Sequence, residues 1–179
     1  MRAAGCGGDP NIVGMCLRHI DWSPEDNRWF NLLEQPLRLW RTNPHRKFRD
    51  FERAVYAQIF RMILERGVDP NLVGRFGYRL AHHLAACGIV WNEPIMSEAE
   101  RVEFATILLD HGADLDVVDE LLQSSPLGWA ARWGKYDLAR LYLERGADPT
   151  LAGESWATPL AWAEKKGYTD IADLIKRYL

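Results

Sequence analysis

The sequence predicts an all-α solenoid of about four helix-turn-helix units, with insertions in the first two. Two observations carry this prediction. The segment SPLGWAARWGKYDLARLYLERG, beginning at Ser125, aligns without gaps on TPLAWAEKKGYTDIADLIKRYL, beginning at Thr158, at an offset of 33 residues. A closing phrase also recurs three times: LERGVDPN from Leu64, LDHGADLD from Leu109 and LERGADPT from Leu143. A fixed period of this length marks stacked supersecondary units that share one core.

Each element of the unit is justified by its residues. Ser125-Pro126 and Thr158-Pro159 place a hydroxyl N-cap before a proline, whose missing N–H costs nothing in a first helical turn. Gly134 and Gly167 fall where that short helix must stop and reverse, a position for positive φ. A second helix follows, with Asp137 or Asp170 in its first turn, where negative charge suits the helix dipole. In the last unit its apolar stripe reads Ile171, Leu174, Ile175 and Tyr178. Stacking then gives Leu127, Leu160, Ala130, Ala163, Leu141 and Leu174 a continuous core.

The closing glycines Gly67, Gly112 and Gly146 are spaced by 45 and 34 residues. The excess of twelve fits an insertion between Gly88 and Arg101, which contains a proline and the helix-start signal Ser97-Glu98-Ala99-Glu100. One further residue fits the turn around Glu120–Gln123. An earlier Gly7-Gly8-Asp9-Pro10-Asn11 precedes Gly67-Val68-Asp69-Pro70-Asn71 by 60, so the first unit carries about 27 additional residues, placed mainly between Trp22 and Phe48. The chain reads as one domain over 1–179, with approximate units 1–66 (irregular, with an insertion), 67–111, 112–145 and 146–179.

These residues resemble the ankyrin repeat, a unit of about 33 residues made of a β-turn and two antiparallel helices. Ser125-Pro126-Leu127 and Thr158-Pro159-Leu160 are similar to the family's Thr-Pro-Leu-His start, with Gly128 and Ala161 in place of the histidine; Arg79-Leu80-Ala81-His82 keeps the histidine and loses the Thr-Pro. Gly-Ala-Asp at 112–114 and 146–148 matches the family's exit from its second helix. The match covers 67–179; in 1–66 it rests on 7–11 and on the helix ending at Arg66. The resemblance implies β-turns between units and a non-enzymatic protein–protein interaction module presenting a rigid concave surface of turn tips and first helices. Its alternative form is a regulatory or inhibitory module that covers a partner enzyme's active site. The positions so implied for partner contact are Arg75, Phe76 and Tyr78; Leu121, Ser124, Arg132 and Trp133; and Glu154, Ser155, Ala157, Lys165 and Lys166. Trp, Tyr and Arg dominate interface hot spots, which singles out Trp133. Trp129 and Trp162, one period apart, read either as packed between layers, the favoured reading, or as part of the interface, and Trp156 as a turn residue covering a helix or touching a partner. His82 takes the family histidine's place, tying turns together by hydrogen bonds.

Composition sets the outer bounds. Hydrophobic residues are 47% of the 179, charged ones 26%, and the net charge is −3, so disorder and a phosphate-neutralising DNA binder are disfavoured. No apolar run reaches the roughly 20 residues of a membrane span. Cys6, Cys16 and Cys87 lack metal-ligand spacing and suit a reducing, cytoplasmic setting. The expected partner is another protein, bound by a monomer without cofactor, metal or catalytic residues.

Charge is uneven: 36–53 holds six Arg or Lys against two acids, whereas 89–120 holds nine acids against Arg101. Both segments read as solvated insertions; the functional reading is a basic lobe with Trp40 and Phe48 that holds an acidic protein or a nucleic-acid strand. His83 and Cys87 at i, i+4 have the types of a thiolate–imidazole pair without an orienting third group. Gly5-Cys6-Gly7-Gly8 lacks the lysine and hydroxyl of a phosphate loop, and Glu93, Glu98, Glu100 and Glu103 read as an exposed acidic face.

Overall fold

The computed structural model describes residues 9–38, 50–86, 89–90, 93–94 and 96–179. Its helices are α1 (Pro10–Leu17), α2 (Arg28–Arg38), α3 (Asp50–Leu64), α4 (Leu80–Ala86), α5 (Glu98–Asp110), α6 (Pro126–Arg132), α7 (Tyr136–Glu144), α8 (Pro159–Lys166) and α9 (Thr169–Lys176). Two-residue strands β1 (Ile89–Val90) and β2 (Glu93–Pro94) pair antiparallel inside the second insertion, a small departure from an all-helical chain. The anticipated Gly5–Gly8 turn, the centre of the basic 36–53 segment, and Cys87 and Cys6 lie outside the described residues.

The helices form antiparallel pairs α2/α3, α4/α5, α6/α7 and α8/α9, which stack in two layers. First helices α2, α4, α6 and α8 form one layer and second helices α3, α5, α7 and α9 the other, with α1 packed on α3. The last two hairpins keep the 33-residue offset, Pro126 and Tyr136 recurring as Pro159 and Thr169 at the helix starts. Ser125 Oγ accepts from the Gly128 N–H at 3.2 Å, and Thr158 Oγ1 from that of Ala161 at 3.2 Å. Gly134 and Gly167 adopt φ of 65° and 77°, and the exits Gly67, Gly112 and Gly146 are left-handed too. At Gly134 space matters as well: a Cβ there would lie 2.7 Å from the Tyr168 ring. Ser97 and Glu100 cap α5 reciprocally, the Glu100 carboxylate accepting from the Ser97 N–H at 2.7 Å.

One apolar core runs through all four pairs. Leu33, Phe60, Leu80, Leu84, Ala105, Leu127, Ala130, Ala139, Ala163 and Ile175 are fully buried within it. Phe60 and Phe104 meet edge-on at 5.3 Å between α3 and α5. The Tyr142 hydroxyl donates to the Ala81 carbonyl at 2.8 Å, bonding α7 to α4. Leu141 and Leu160 are half-buried against this core. Tyr178 leaves the expected stripe: α9 ends at Lys176, and the ring is exposed.

Two further sequence expectations are corrected by the packing. Within the stretch 22–48 assigned to excess length, α2 buries Trp29, Phe30, Leu33 and Leu37 and builds the first-helix layer. Within the acidic stretch, Arg101 and Asp119 are buried rather than solvated. Arg101 donates to the Leu84 carbonyl and lies 3.4 Å from Glu98, which also holds Lys135 at 3.3 Å, so charge bridges α5 to α4 and to the following hairpin.

Leu127→Ala should cost about 2–5 kcal/mol in a urea titration, and Leu160→Ala distinctly less because that side chain is already half-exposed.

Candidate partner-binding face

The turns between hairpins are held by buried polar groups. Asp119 accepts from the backbone N–H groups of Leu121 (2.8 Å), Leu122 (2.7 Å) and Ser124 (3.1 Å) and from the Trp129 indole N–H (2.8 Å). Its negative charge is therefore spent on donors that would otherwise be orphaned in the interior. The Ser124 hydroxyl accepts from the Trp162 indole N–H at 2.7 Å and donates toward the Ala157 carbonyl at 2.9 Å. His82 Nδ1 accepts from the Arg79 N–H at 3.1 Å, which leaves Nε2–H to donate to the Ser124 carbonyl at 3.2 Å. Burial drives the His82 pKa down to about 4, and the Asp119 charge only partly opposes this.

Ser124, His82 and Asp119 have the residue types of a hydrolase triad, joined differently. The imidazole meets the serine carbonyl rather than its hydroxyl, and the hydroxyl is committed to Trp162 and Ala157 in a fully buried position. This geometry locks turns together.

The turn tips also bond to one another. Phe76 (φ 60°) and Gln123 (φ 52°) are left-handed without being glycine. The Phe76 carbonyl accepts from the Glu120 N–H at 2.9 Å, and the Gln123 carbonyl from the Gly153 N–H at 2.8 Å. The strained residue of each tip thus aims its carbonyl at the next tip.

The anticipated contact residues sort clearly on this frame. Arg75, Phe76, Leu121, Trp133, Glu154, Ser155, Lys165 and Lys166 are exposed, with Phe76 at 43%, Leu121 at 57% and Trp133 at 37% of their full surface. Arg132 is half-buried, its guanidinium 4.3 Å from the Trp162 ring centre. Tyr78 is half-buried too: its ring meets Phe30 edge-on at 5.7 Å, and its hydroxyl donates to Glu34 at 3.3 Å. Ser124 and Ala157 are corrected. Both are fully buried, because the serine hydroxyl and the alanine carbonyl bond to each other across adjacent units. Trp129 and Trp162 are core residues whose indole N–H groups are bonded inside, whereas Trp156 is half-exposed and packs edge-on against Trp162 at 5.8 Å.

Sequence reasoning missed the α2 side of the face. Phe30, Asn31 and Glu34 of α2 and the turn residues Val73, Arg75 and Tyr78 line an open depression of about 420 Å³. His83, considered as a partner of Cys87, has its Nδ1 3.6 Å from the buried Glu34 carboxylate. Trp29, Leu33 and Leu37 at i, i+4 spacing carried the helical signal, but no recognisable opening motif marked it as a unit's first helix. Asp119 was missed because it was counted among surface acids; its place six residues before Ser125-Pro126 was the available sign. Among the described residues no cluster of three His, Cys, Asp or Glu could hold a metal, and no helix is long and apolar enough to cross a membrane.

The family model for the ankyrin repeat matches residues 123–154. Cyclin-dependent kinase 4 inhibitor B of Bos taurus is 34% identical over 120 residues, covering 66% of this chain and 78% of that protein. The Homo sapiens protein of the same name is 31% identical over 116 residues, covering 65% and 75%. Ankyrin repeat family A protein 2 of Mus musculus is 41% identical over 157 residues, covering 88% of this chain and 39% of its own length.

Stability should respond to His82. Its folded-state pKa lies below the ordinary 6.5, so the unfolded chain binds more protons between pH 6.5 and about 4. Stability should be complete above pH 6.5 and fall by on the order of 3 kcal/mol as pH drops to about 4. Denaturation midpoints measured across that window should decline, and His82→Gln should flatten the decline.

Proposed function

The chain belongs to the ankyrin-repeat family and is a protein-interaction module, and on that premise we propose that it acts without catalysis by holding a partner protein on its turn tips and first helices. The carrying observation is the contrast between a bonded interior and an unsealed row of side chains. Buried hydrogen bonds fix Asp119, Ser124 and His82, while Arg75, Phe76, Leu121, Trp133 and Trp156 stand exposed on the same turns and first-helix ends. A surface fixed in this way loses little conformational entropy on association, so side-chain contacts convert more fully into affinity.

A more specific form of the reading is inhibitory. Two of the relatives are named as inhibitors of cyclin-dependent kinase 4, and the corresponding action here is to bind a partner kinase and hold it inactive. The free thiol of Cys16 fits a reducing, cytoplasmic setting, and the polar second-helix layer, with Arg145–Asp110 and Arg140–Asp137 on its surface, fits a monomer.

Inhibition of purified cyclin-dependent kinase 4 by the whole chain tests the inhibitory form. Phe76→Ala with Trp133→Ala should weaken inhibition at least about tenfold, equivalent to losing one hot spot, while the thermal midpoint stays nearly unchanged. Absence of inhibition by the unaltered chain counts against this kinase as target; loss of folding in the double variant assigns those rings to the core. Phe76→Asn should lower binding yet hold or raise stability by about 0.5–1 kcal/mol, because Asn tolerates the left-handed backbone that strains Phe76.

A further inference from the structure

Two cations converge on one indole at the junction of the last two hairpins. The Arg132 guanidinium carbon lies 4.3 Å from the Trp162 ring centre and 5.5 Å from that of Trp133. The Lys165 ammonium lies 5.1 Å from the same Trp162 centre. Neither cation pairs with a carboxylate among the described residues, and Arg132 Nε, sealed from solvent, has no hydrogen-bond partner there. The second-helix layer behaves differently: Arg140, Arg145 and Lys176 each reach an acid within 3.1 Å.

Packing on a ring face positions a cation without neutralising it, because the attraction comes from the ring quadrupole. Two such charges against one ring also repel each other, and an arriving anion relieves that repulsion. Trp133 and Trp156 extend the same site with exposed indole surface, 37% and 49% of each residue remaining accessible. The site therefore combines unneutralised positive charge with an apolar border.

We propose that Arg132 and Lys165, set on Trp162 and bordered by Trp133 and Trp156, dock an acidic segment of a partner protein. Carboxylates of the segment engage the two cations, and a neighbouring apolar side chain covers the exposed indoles. The extent of the site selects this occupant over a nucleic-acid strand: two cations and two exposed indoles match a pair of carboxylates beside one apolar side chain, whereas a phosphate backbone gains its affinity from many neutralised phosphates in a row, which a chain of net charge −3 does not supply here. The proposal rests on reading this face as the partner surface and adds the chemistry of what it holds.

The test is selection of a displayed library of random peptides, about 12 residues long, on the whole chain, followed by titration of the selected peptides. Binders should be enriched in Asp and Glu beside an apolar residue and should shift the indole N–H signals of Trp133 and Trp156. Their Kd should rise at least about tenfold in Arg132→Gln/Lys165→Gln and stay unchanged in Arg140→Gln, which removes the same charge from the other layer. A thermal melt of each variant separates lost docking from lost folding; if the double variant melts early, Lys165→Gln alone carries the comparison. Binders without acidic enrichment, acidic binders indifferent to these substitutions, or displacement of the peptides by an oligothymidylate strand would overturn this inference while leaving the interaction surface standing. Failure to select any binder counts against the interaction surface itself.

Discussion

The architecture depends on one buried serine. Ser124 receives the imidazole N–H of His82 on its carbonyl and the indole N–H of Trp162 on its hydroxyl, and the same hydroxyl points to the Ala157 carbonyl. Its backbone N–H goes to Asp119. Residues from three consecutive hairpins are thereby tied to a single position that water does not reach. Apolar stacking supplies the bulk of the stabilisation in such an array but is tolerant of small slips. Directional bonds in a dry interior are not tolerant, since each misplacement leaves a donor or acceptor unmet. The turns inherit their definition from this arrangement.

Definition of the turns is what turns a stack into a recognition surface. The tips carry Arg75, Phe76, Leu121 and Glu154, residues that would be mobile on unsupported loops. Carbonyl-to-amide bonds from Phe76 to Glu120 and from Gln123 to Gly153 run from tip to tip. A backbone strain at Phe76 and at Gln123 accompanies each bond, and the surrounding packing holds it. The exposed aromatic and cationic groups are displayed on a frame that has already lost its freedom. The depression between α2 and the turn at 73–78 extends the same face into the first hairpin.

Much of the fold was legible because it is written locally. Hydroxyl-proline starts, left-handed glycines and the Ser97–Glu100 box each report on their own few residues, and all of them formed as read. The core at Leu127, Ala130 and Ala163 followed from period alone. What was not legible depends on partners distant in sequence. Ser124 looked like a tip residue until Trp162 and Ala157 were seen on its hydroxyl. Asp119 and Arg101 looked like surface charges until their hydrogen bonds inside the stack were visible. The role of α2 was hidden because a first helix without its opening motif has only amphipathicity to announce it, and the contact between α2 and α4 is long-range. Trp133 and Trp129 show the same limit within one helix: four residues apart, one ends at the surface and the other is bonded to Asp119.

Gly134 and Tyr168 carry a quieter consequence. The phenol ring of one hairpin lies where a methyl group of the preceding hairpin would have to go. The glycine and the ring therefore behave as a ball seated in a socket, with an absent atom as the socket. A side chain at 134 would turn that ring out toward solvent, where Tyr168 already keeps 36% of its surface, so a single hydrogen is what lets the phenol close over the joint between the last two hairpins.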